Sequence, residues 1–405
     1  MNPDLADLQP YPFQKIAELK NGITPADKPM VSLAMGEPKH ATPAIVLEAL
    51  KDNLSGLSNY PLTKGSDDLR STIGDWLTRR FKLPTDSINP ATHVLPVNGT
   101  REALFAFAQA VIDKTKHNPT VLMPNPFYQI YEGAALLAGA KPIYLPCTAE
   151  TGFVPDFDAV SAETWDDCQL IYLCSPGNPT GAVVQEAQIK QLLALAEKHD
   201  FIIASDECYS EIYFDETNPP VGLLEVAAKT GNTDFKRCVV FHSLSKRSNA
   251  PGLRSGFVAG DKNVLESFLL YRTYHGCAMS PPVQAASIAA WNDETHVLDN
   301  RDQYREKFDA VLRILSPVMN IDKISVKKPD ASFYLWADVG MDDEVFTRDI
   351  FEQQHLNVVP GSYLSRDVNG VNPGSNHIRM ALVAELDECI EAANRIVTYL
   401  KGRKY

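Results

Sequence analysis

A chain of 405 residues with 44% apolar and 22% charged residues has ample material for a packed core in one or more domains. The net charge of −13 argues against a nucleic-acid partner, because no basic face is available to neutralise phosphates. The seven cysteines include no Cys-x-x-Cys pair, and the chain has neither a basic leader nor an apolar run of about 18 residues. We therefore expect a reduced, cytoplasmic protein without a metal site or a membrane span.

Residues 1–45 are predicted to form an arm, because repeated prolines leave room for one helix, over residues 13–21. A short strand is expected over 31–35, running into the segment Gly36-Glu-Pro-Lys-His40. Further along, apolar residues at helical spacing predict a helix over 66–81. We expect the arm to contribute to the smaller of two domains.

Residues 46–285 alternate apolar runs with helical stretches, a pattern that indicates an α/β domain with a mostly parallel sheet. The runs that we interpret as strands cover residues 93–97, 120–123, 140–145, 170–174, 201–205, 238–241 and 255–259. Residues 286–405 are predicted to form a smaller α+β domain, with strands near 324–326, 332–338, 358–359 and 377–381 and a closing helix over 384–400.

Polar and aromatic side chains follow the predicted strands of the large domain. Because parallel strands place their carboxyl ends at one edge of the sheet, we expect these side chains to converge on a ligand. The first strand turns through Gly99-Thr100-Arg101 into a helix, whose free amides favour an anion. The residues that follow the other strands are Tyr128, Asn178, Asp206, Tyr209, Ser243, Ser245 and Lys246.

This set of groups matches the needs of pyridoxal phosphate. A lysine amine can bond to its aldehyde, and a carboxylate can keep its ring nitrogen protonated. Serine hydroxyls and an arginine, Arg254, suit its phosphate. Each residue alone also has an ordinary structural explanation: a strand-end cap for Asp206, a turn for Asn178, packing for Tyr128 and a solvated surface for Lys246. Their coincidence at successive strand ends favours the cofactor.

The chain resembles the class I and II aminotransferases, fold type I of the pyridoxal-phosphate enzymes, over nearly its whole length. The motifs that carry this resemblance are Gly36-Glu-Pro, Asn59-Tyr60, Asn178-Pro-Thr-Gly, Asp206-Glu-Cys-Tyr209, Ser243-Leu-Ser-Lys246, Leu253-Arg254-Ser-Gly256 and Ile378-Arg379. The resemblance implies a transaminase fold with a large cofactor-binding domain and a smaller one.

The resemblance also implies roles for the matching residues. Lys246 would bind the cofactor covalently and act as the base, Asp206 would hold the ring nitrogen, and Tyr209 with Asn178 would donate to the ring oxygen. Tyr128 would stack on the ring. The phosphate would be held by Ser243, Ser245, Arg254 and the turn Gly99, Thr100 and Arg101.

Two further implications concern the substrate and a partner subunit. Arg379, with Gly36 and Asn178 nearby, would bind the substrate α-carboxylate. Tyr60 matches a tyrosine that reaches the phosphate of the other subunit, which implies a homodimer.

The substrate is suggested by residues 8–15 and 36–43, which resemble the succinyldiaminopimelate transaminases of lysine biosynthesis. Such a substrate is long and multiply anionic, and candidate cations for it are Lys39, His40, Lys64, Arg101 and Arg272. The alternatives are an aspartate, aromatic or alanine aminotransferase, a β-lyase with the same fold and lysine, and a non-catalytic regulator. The regulator is disfavoured because the chain has no spare length or positive charge for a DNA-binding domain.

Overall fold

The structure is a computed structural model that describes residues 1–319 and 325–402. The strands within these residues are β1 (Val31–Ser32), β2 (Val94–Val97), β3 (Thr120–Asn125), β4 (Lys141–Pro146), β5 (Cys168–Cys174), β6 (Ile202–Asp206), β7 (Cys238–Ser243), β8 (Gly256–Gly260), β9 (Ser325–Val326), β10 (Tyr334–Asp338), β11 (Leu356–Asn357), β12 (Val359–Pro360) and β13 (His377–Ala381). Ile324, part of the predicted strand 324–326, lies outside the described residues.

The helices alternate with these strands over much of the chain. They are α1 (Pro12–Leu19), α2 (Ala44–Asp52), α3 (Asp67–Arg80), α4 (Pro90–His93), α5 (Thr100–Val111), α6 (Ile130–Leu137), α7 (Ala162–Asp167), α8 (Glu186–His199), α9 (Leu223–Lys229), α10 (Leu244–Arg247), α11 (Lys262–His275), α12 (Pro281–Asn292), α13 (Thr295–Met319), α14 (Asp343–Gln354) and α15 (Leu386–Gly402). Short 3₁₀ helices lie at Pro3–Asp7, Leu54–Ser58, Pro251–Leu253 and Gly361–Leu364.

A seven-stranded sheet forms the centre of the molecule, with the strand order β2-β8-β7-β6-β5-β3-β4. Strand β8 runs antiparallel to both β2 and β7, and the other neighbouring pairs in the sheet are parallel. The predicted mostly parallel α/β sheet is therefore confirmed. Because the parallel strands share one direction, their carboxyl ends lie along the same edge.

Helices cover both faces of this sheet. Side chains alternate along each strand, so Val240 packs into one apolar cluster with α3, α8 and α12, whereas Val239 packs into another with α5, α6 and α11. The strands are near-continuous apolar runs because both faces are buried. The helices on both faces hold the strands of the sheet in place. The polar residues predicted for the site follow the ends of these strands.

The C-terminal part contains a four-stranded antiparallel sheet with the order β12-β13-β10-β9. Its apolar cluster includes residues from α13, α14 and α15. The N-terminal arm joins this part, since β1 pairs in parallel with β11 and Lys20 Nζ donates to Asn357 Oδ1 at 2.7 Å. These contacts support the arm's predicted place in the smaller domain, and the division at residues 45 and 285 stays a prediction. Helix α12 packs with the large-sheet core, which favours a second boundary after Asn292.

Three further findings bear on the expectations from composition. No helix in residues 1–319 and 325–402 is long and apolar enough to cross a membrane. The same residues contain no group of three or more His, Cys, Asp or Glu side chains that could hold a metal ion. All seven cysteines are free thiols, and five of them are buried.

Candidate active site

One cavity of about 550 Å³ opens at the carboxyl edge of the large sheet. It brings together groups from strands far apart in the sequence, from the N-terminal arm and from the C-terminal part. The predicted site residues that line it are Gly36, Thr100, Arg101, Tyr128, Asn178, Asp206, Tyr209, Ser243, Ser245, Lys246, Arg254 and Arg379. The convergence expected from the strand ends is therefore present in the structure.

Lys246 lies in the short helix α10, directly after β7. Its Nζ atom donates to the backbone oxygen of Gly36 at 2.5 Å, so the amine points at the arm. Burial, helped by the positive charges of Arg379 and Arg254, lowers the pKa of Lys246 to about 8. A lysine with such a pKa is partly neutral near physiological pH and can act as a nucleophile or a base.

Asp206 ends strand β6 and is buried. Tyr131 donates its hydroxyl to Asp206 Oδ2 at 2.6 Å, and the backbone N–H of Cys208 donates to Oδ1 at 3.3 Å. Burial raises the pKa of Asp206, while these hydrogen bonds favour its charged form. The sequence analysis missed Tyr131, which lies on α6 among apolar residues without a motif of its own. The result is a fixed, buried carboxylate that suits a cationic ring nitrogen.

The N-terminus of α5 forms a cradle with Arg254. Gly99, the residue before α5, has a φ of 85°, and a Cβ atom there would lie 2.2 Å from Arg254 Nη2. The guanidinium thus occupies the space that any larger residue would need. Ser243 and Ser245 line the same cavity. Free helix amides, hydroxyls and an arginine are the groups that bind a phosphate.

Arg379 on β13 joins three segments of the chain. Its Nη1 donates to Asn178 Oδ1 at 3.1 Å and its Nη2 to the backbone oxygen of Ala34 at 2.7 Å. Its Nε is buried and has no hydrogen-bond partner in the described residues. A buried arginine held by neutral oxygens keeps its full positive charge for an anion, and a carboxylate fits its planar fork.

Tyr334 is a second cavity residue that the sequence analysis missed. Its hydroxyl lies 3.1 Å from that of Tyr209, and the guanidinium carbon of Arg379 lies 4.6 Å from its ring centroid. A Cβ atom at Gly36 would lie 2.1 Å from the Tyr334 hydroxyl, so this position has room only for glycine. Tyr334 comes from the smaller sheet, whose approach to the large sheet no local pattern predicts.

Arg101 connects two tyrosines at the cavity. Its Nε donates to the Tyr128 hydroxyl at 2.7 Å and its Nη2 to the Tyr11 hydroxyl at 2.9 Å. Tyr11, on the arm, also lines the cavity and was not predicted. The Arg101 side chain therefore turns toward the arm, whereas its backbone belongs to the first turn of α5.

Several predicted residues lie outside this cavity. Tyr60 is fully exposed at 103%. The other candidate cations for the substrate have different surroundings: Lys39 pairs with Glu37, Lys64 is exposed, His40 is buried beside Asn300 and Lys307, and Arg272 is buried against Glu102. Gly99 does not line the cavity but makes room for Arg254, which does.

The residues present fit pyridoxal phosphate. Lys246 offers an amine for the aldehyde, Asp206 a carboxylate for the ring nitrogen, and Asn178 and Tyr209 polar groups for the ring oxygen. The Tyr128 ring can stack on the cofactor, and the cradle of Gly99 and Arg254 leaves space for its phosphate. Arg379 remains available for a substrate carboxylate.

Comparisons with known proteins agree with this chemistry. Residues 28–396 match the family model described as aminotransferase class I and II. An LL-diaminopimelate aminotransferase from Nitratidesulfovibrio vulgaris is 31% identical over 400 residues, with 97% of each chain covered. The structure is similar to an aminotransferase from Neisseria meningitidis (48% identity, TM-score 0.93, 98% of this chain and 100% of that one) and to aminotransferase AspB from Helicobacter pylori (36% identity, TM-score 0.89, with the same coverage). These matches span both sheets.

Proposed function

Since the chain belongs to the pyridoxal-phosphate-dependent class I and II aminotransferases, we propose a substrate of the diaminopimelate series for it. The reaction would convert N-succinyl-2-amino-6-oxoheptanedioate and glutamate to N-succinyl-diaminopimelate and 2-oxoglutarate, reversibly. The chemistry is supported by a cavity in which Lys246 lies close to two arginines, Arg254 and Arg379, that form no ion pair with any described residue. The substrate class is supported by the 31% identity to an LL-diaminopimelate aminotransferase.

The two arginines divide the anions between them. Arg254, beside the N-terminus of α5, would hold the cofactor phosphate with Ser243 and Ser245. Arg379 would bind the substrate α-carboxylate, and Asn178 would keep its guanidinium in place. When bound, pyridoxal phosphate supplies an aldehyde for covalent attachment and a ring that accepts electron density.

The lysine then moves the proton. Lys246 Nζ, as a neutral amine in the cavity, would remove the proton from the substrate α-carbon. Its lowered pKa favours this role, because an amine with a pKa of about 8 is partly neutral near pH 7 and half deprotonated at pH 8, whereas an ordinary lysine stays charged. Asp206 would keep the ring nitrogen protonated throughout, and the buried Tyr131 hydroxyl would fix the orientation of its carboxylate.

A second candidate substrate is LL-diaminopimelate itself, since the 31% identical relative carries that name. The two candidates differ at the distal end, where one has a succinyl amide and the other a free amine. The succinylated substrate is supported by the resemblance of residues 8–15 and 36–43. Aspartate, aromatic and alanine substrates remain the rivals within the aminotransferases.

A donor comparison tests the proposal. The purified holoenzyme would be assayed with 2-oxoglutarate and either N-succinyl-LL-diaminopimelate, LL-diaminopimelate, aspartate, phenylalanine or alanine, with glutamate formation as the readout. We expect the highest kcat/KM for the succinylated donor. A higher value for LL-diaminopimelate would replace it as the substrate, and equal or better values for the common amino acids would overturn the diaminopimelate assignment. Release of pyruvate and ammonia from a cysteine conjugate, without glutamate, would indicate a β-lyase.

A further inference from the structure

We propose that Arg101 binds a carboxylate at the far end of the substrate and thereby selects long dicarboxylic amino acids. The inference deepens the proposed function and rests on it, because it assumes that the α-carboxylate is bound at Arg379. It assigns to the Arg101 side chain a role other than cofactor binding, whereas the backbone of Arg101 stays part of the helix terminus.

The first argument is the charge of the cavity lining. Its cationic residues are Arg101, Arg254, Arg379 and Lys246, and its acidic ones are Asp206 and Glu37. Glu37 pairs with Lys39 at 3.0 Å, and Asp206 accepts from Tyr131. The cofactor phosphate and one α-carboxylate account for two arginines, so a third cation is left for another anion.

The second argument is the way in which Arg101 is held. Its two hydrogen bonds go to the neutral hydroxyls of Tyr128 and Tyr11, and burial raises the pKa of Tyr128, which keeps that phenol uncharged. The Nη1 group has no hydrogen-bond partner in the described part of the chain. The guanidinium is therefore oriented but not neutralised, and its free N–H groups can donate to a carboxylate.

The third argument is the state of the other candidate cations. Arg272 donates to both oxygens of Glu102, and His40 is buried against Asn300 and Lys307. Lys39 and Lys64 are exposed and do not line the cavity. Of the five candidates, Arg101 alone combines a place in the cavity lining with an unpaired charge.

Tyr11 and Tyr128 act as positioning residues in this scheme. Tyr128 faces the cavity from the large sheet, and Tyr11 lies at the start of α1 on the arm. Arg101 is fixed between the two. A substrate carboxylate at Arg101 would therefore contact the arm as well as the large domain, which fits the arm's resemblance to enzymes that use long substrates.

The test uses two amino donors of equal chain length, L-2-aminopimelate and L-2-aminoheptanoate, which differ in the distal carboxylate. In the Arg101→Gln holoenzyme we expect kcat/KM for aminopimelate to fall at least about tenfold, since a charge-assisted hydrogen bond is lost, while the value for aminoheptanoate changes by less than about threefold. Arg101→Lys should restore part of the preference. Arg348→Gln removes an exposed arginine paired with Asp349 and serves as the matched control. It should leave the ratio of the two kcat/KM values unchanged.

Equilibrium binding separates the remaining possibilities. Cofactor affinity, measured by titrating the cofactor-free protein, should be the same in Arg101→Gln and wild type, and a tenfold loss there would assign the side chain to the phosphate and overturn the inference. An equal fall in kcat/KM for aminopimelate and aminoheptanoate would also overturn the inference. Tyr11→Phe should raise KM for aminopimelate and leave kcat unchanged.

The experiments distinguish failure of the proposed substrate from failure of the Arg101 assignment. Suppose that Arg101→Gln lowers the ratio of kcat/KM for aminopimelate to kcat/KM for aminoheptanoate, but that the wild-type enzyme uses neither diaminopimelate donor. This result would support the Arg101 assignment and refute the proposed substrate. An unchanged ratio in an enzyme that does use those donors would refute the Arg101 assignment alone.

Discussion

At the scale of single residues, the site depends on side chains that are buried without a partner of opposite charge. Lys246 is the main example, because its amine donates to a backbone oxygen and no carboxylate pairs with it in the described residues. Transfer of an ammonium group into such surroundings favours the neutral amine. The protein thus obtains a reactive lysine from burial and from two neighbouring arginines.

The pH dependence of Lys246 follows from this environment. Because burial lowers its pKa from the ordinary value near 10.4 to about 8, the amine should be mostly protonated below pH 8 and neutral between pH 8 and about 10.4, where exposed lysines stay charged. In the cofactor-free protein we expect the rate of acylation of Lys246, followed by peptide mass spectrometry, to reach half its maximum near pH 8. A midpoint near 10 in the folded protein would contradict the assignment, and the urea-unfolded chain provides the reference.

At the scale of elements, helix termini and strand ends hold the side chains of the cavity in place. Helix α5 begins next to Gly99, whose positive φ turns the chain from β2 into the helix. The missing side chain of Gly99 admits the guanidinium of Arg254, which lies just before β8 in the chain. The cradle is therefore a joint property of two elements.

Substitution at Gly99 tests this cradle. Gly99→Ala places a methyl group on Arg254, and we expect cofactor affinity to fall about tenfold or more as the guanidinium is displaced. Gly152→Ala is the matched control, because Gly152 also has a positive φ but no atom within 4 Å of a Cβ. Both variants should lose roughly 1 kcal/mol of stability in urea denaturation through backbone strain. Equal cofactor affinity in the two variants would rule out the cradle.

At the scale of the whole molecule, the 54–62 segment points to a second copy of the chain. Tyr60 is fully exposed, and Leu54, Leu57 and Leu62 are each more than half exposed. Exposed apolar residues close together in this way mark an interaction surface. We propose a homodimer in which Tyr60 completes the partner's phosphate site.

Hybrid dimers test that arrangement. Lys246→Ala and Tyr60→Ala are each expected to have less than about a tenth of wild-type activity, since one removes the reactive amine and the other a phosphate contact. If Tyr60 serves the other subunit, a mixed dimer contains one site with both defects and one intact site. Mixing the two variants under exchange conditions should therefore restore activity. If Tyr60 acts within its own subunit, the mixture is no more active than the separate variants. The activity of the Lys246→Ala homodimer provides the baseline.

The sequence predicts the strand ends and half of the residues that line the cavity, because apolar runs and their following polar residues are local patterns. Tyr11 and Tyr334 could not be predicted, since they reach the cavity through packing of the arm and of the smaller sheet. The antiparallel direction of β8 was also missed, because an apolar run has no direction. Arg272 and His40 were reasonable candidate cations, but their partners Glu102 and Asn300 are set by tertiary contacts.

The pairing of β1 with β11 has a consequence for how the protein is made. Lys20 bonds to a residue 337 positions later in the chain, and β1 cannot pair before β11 exists. During synthesis the large domain can collapse first, since domains fold as units from the N-terminal side. The arm, however, must wait until nearly the whole polypeptide has left the ribosome. The Gly36 oxygen that contacts Lys246 can therefore take its place only after β11 has been made, and a nascent chain that ends before β13 also lacks Arg379.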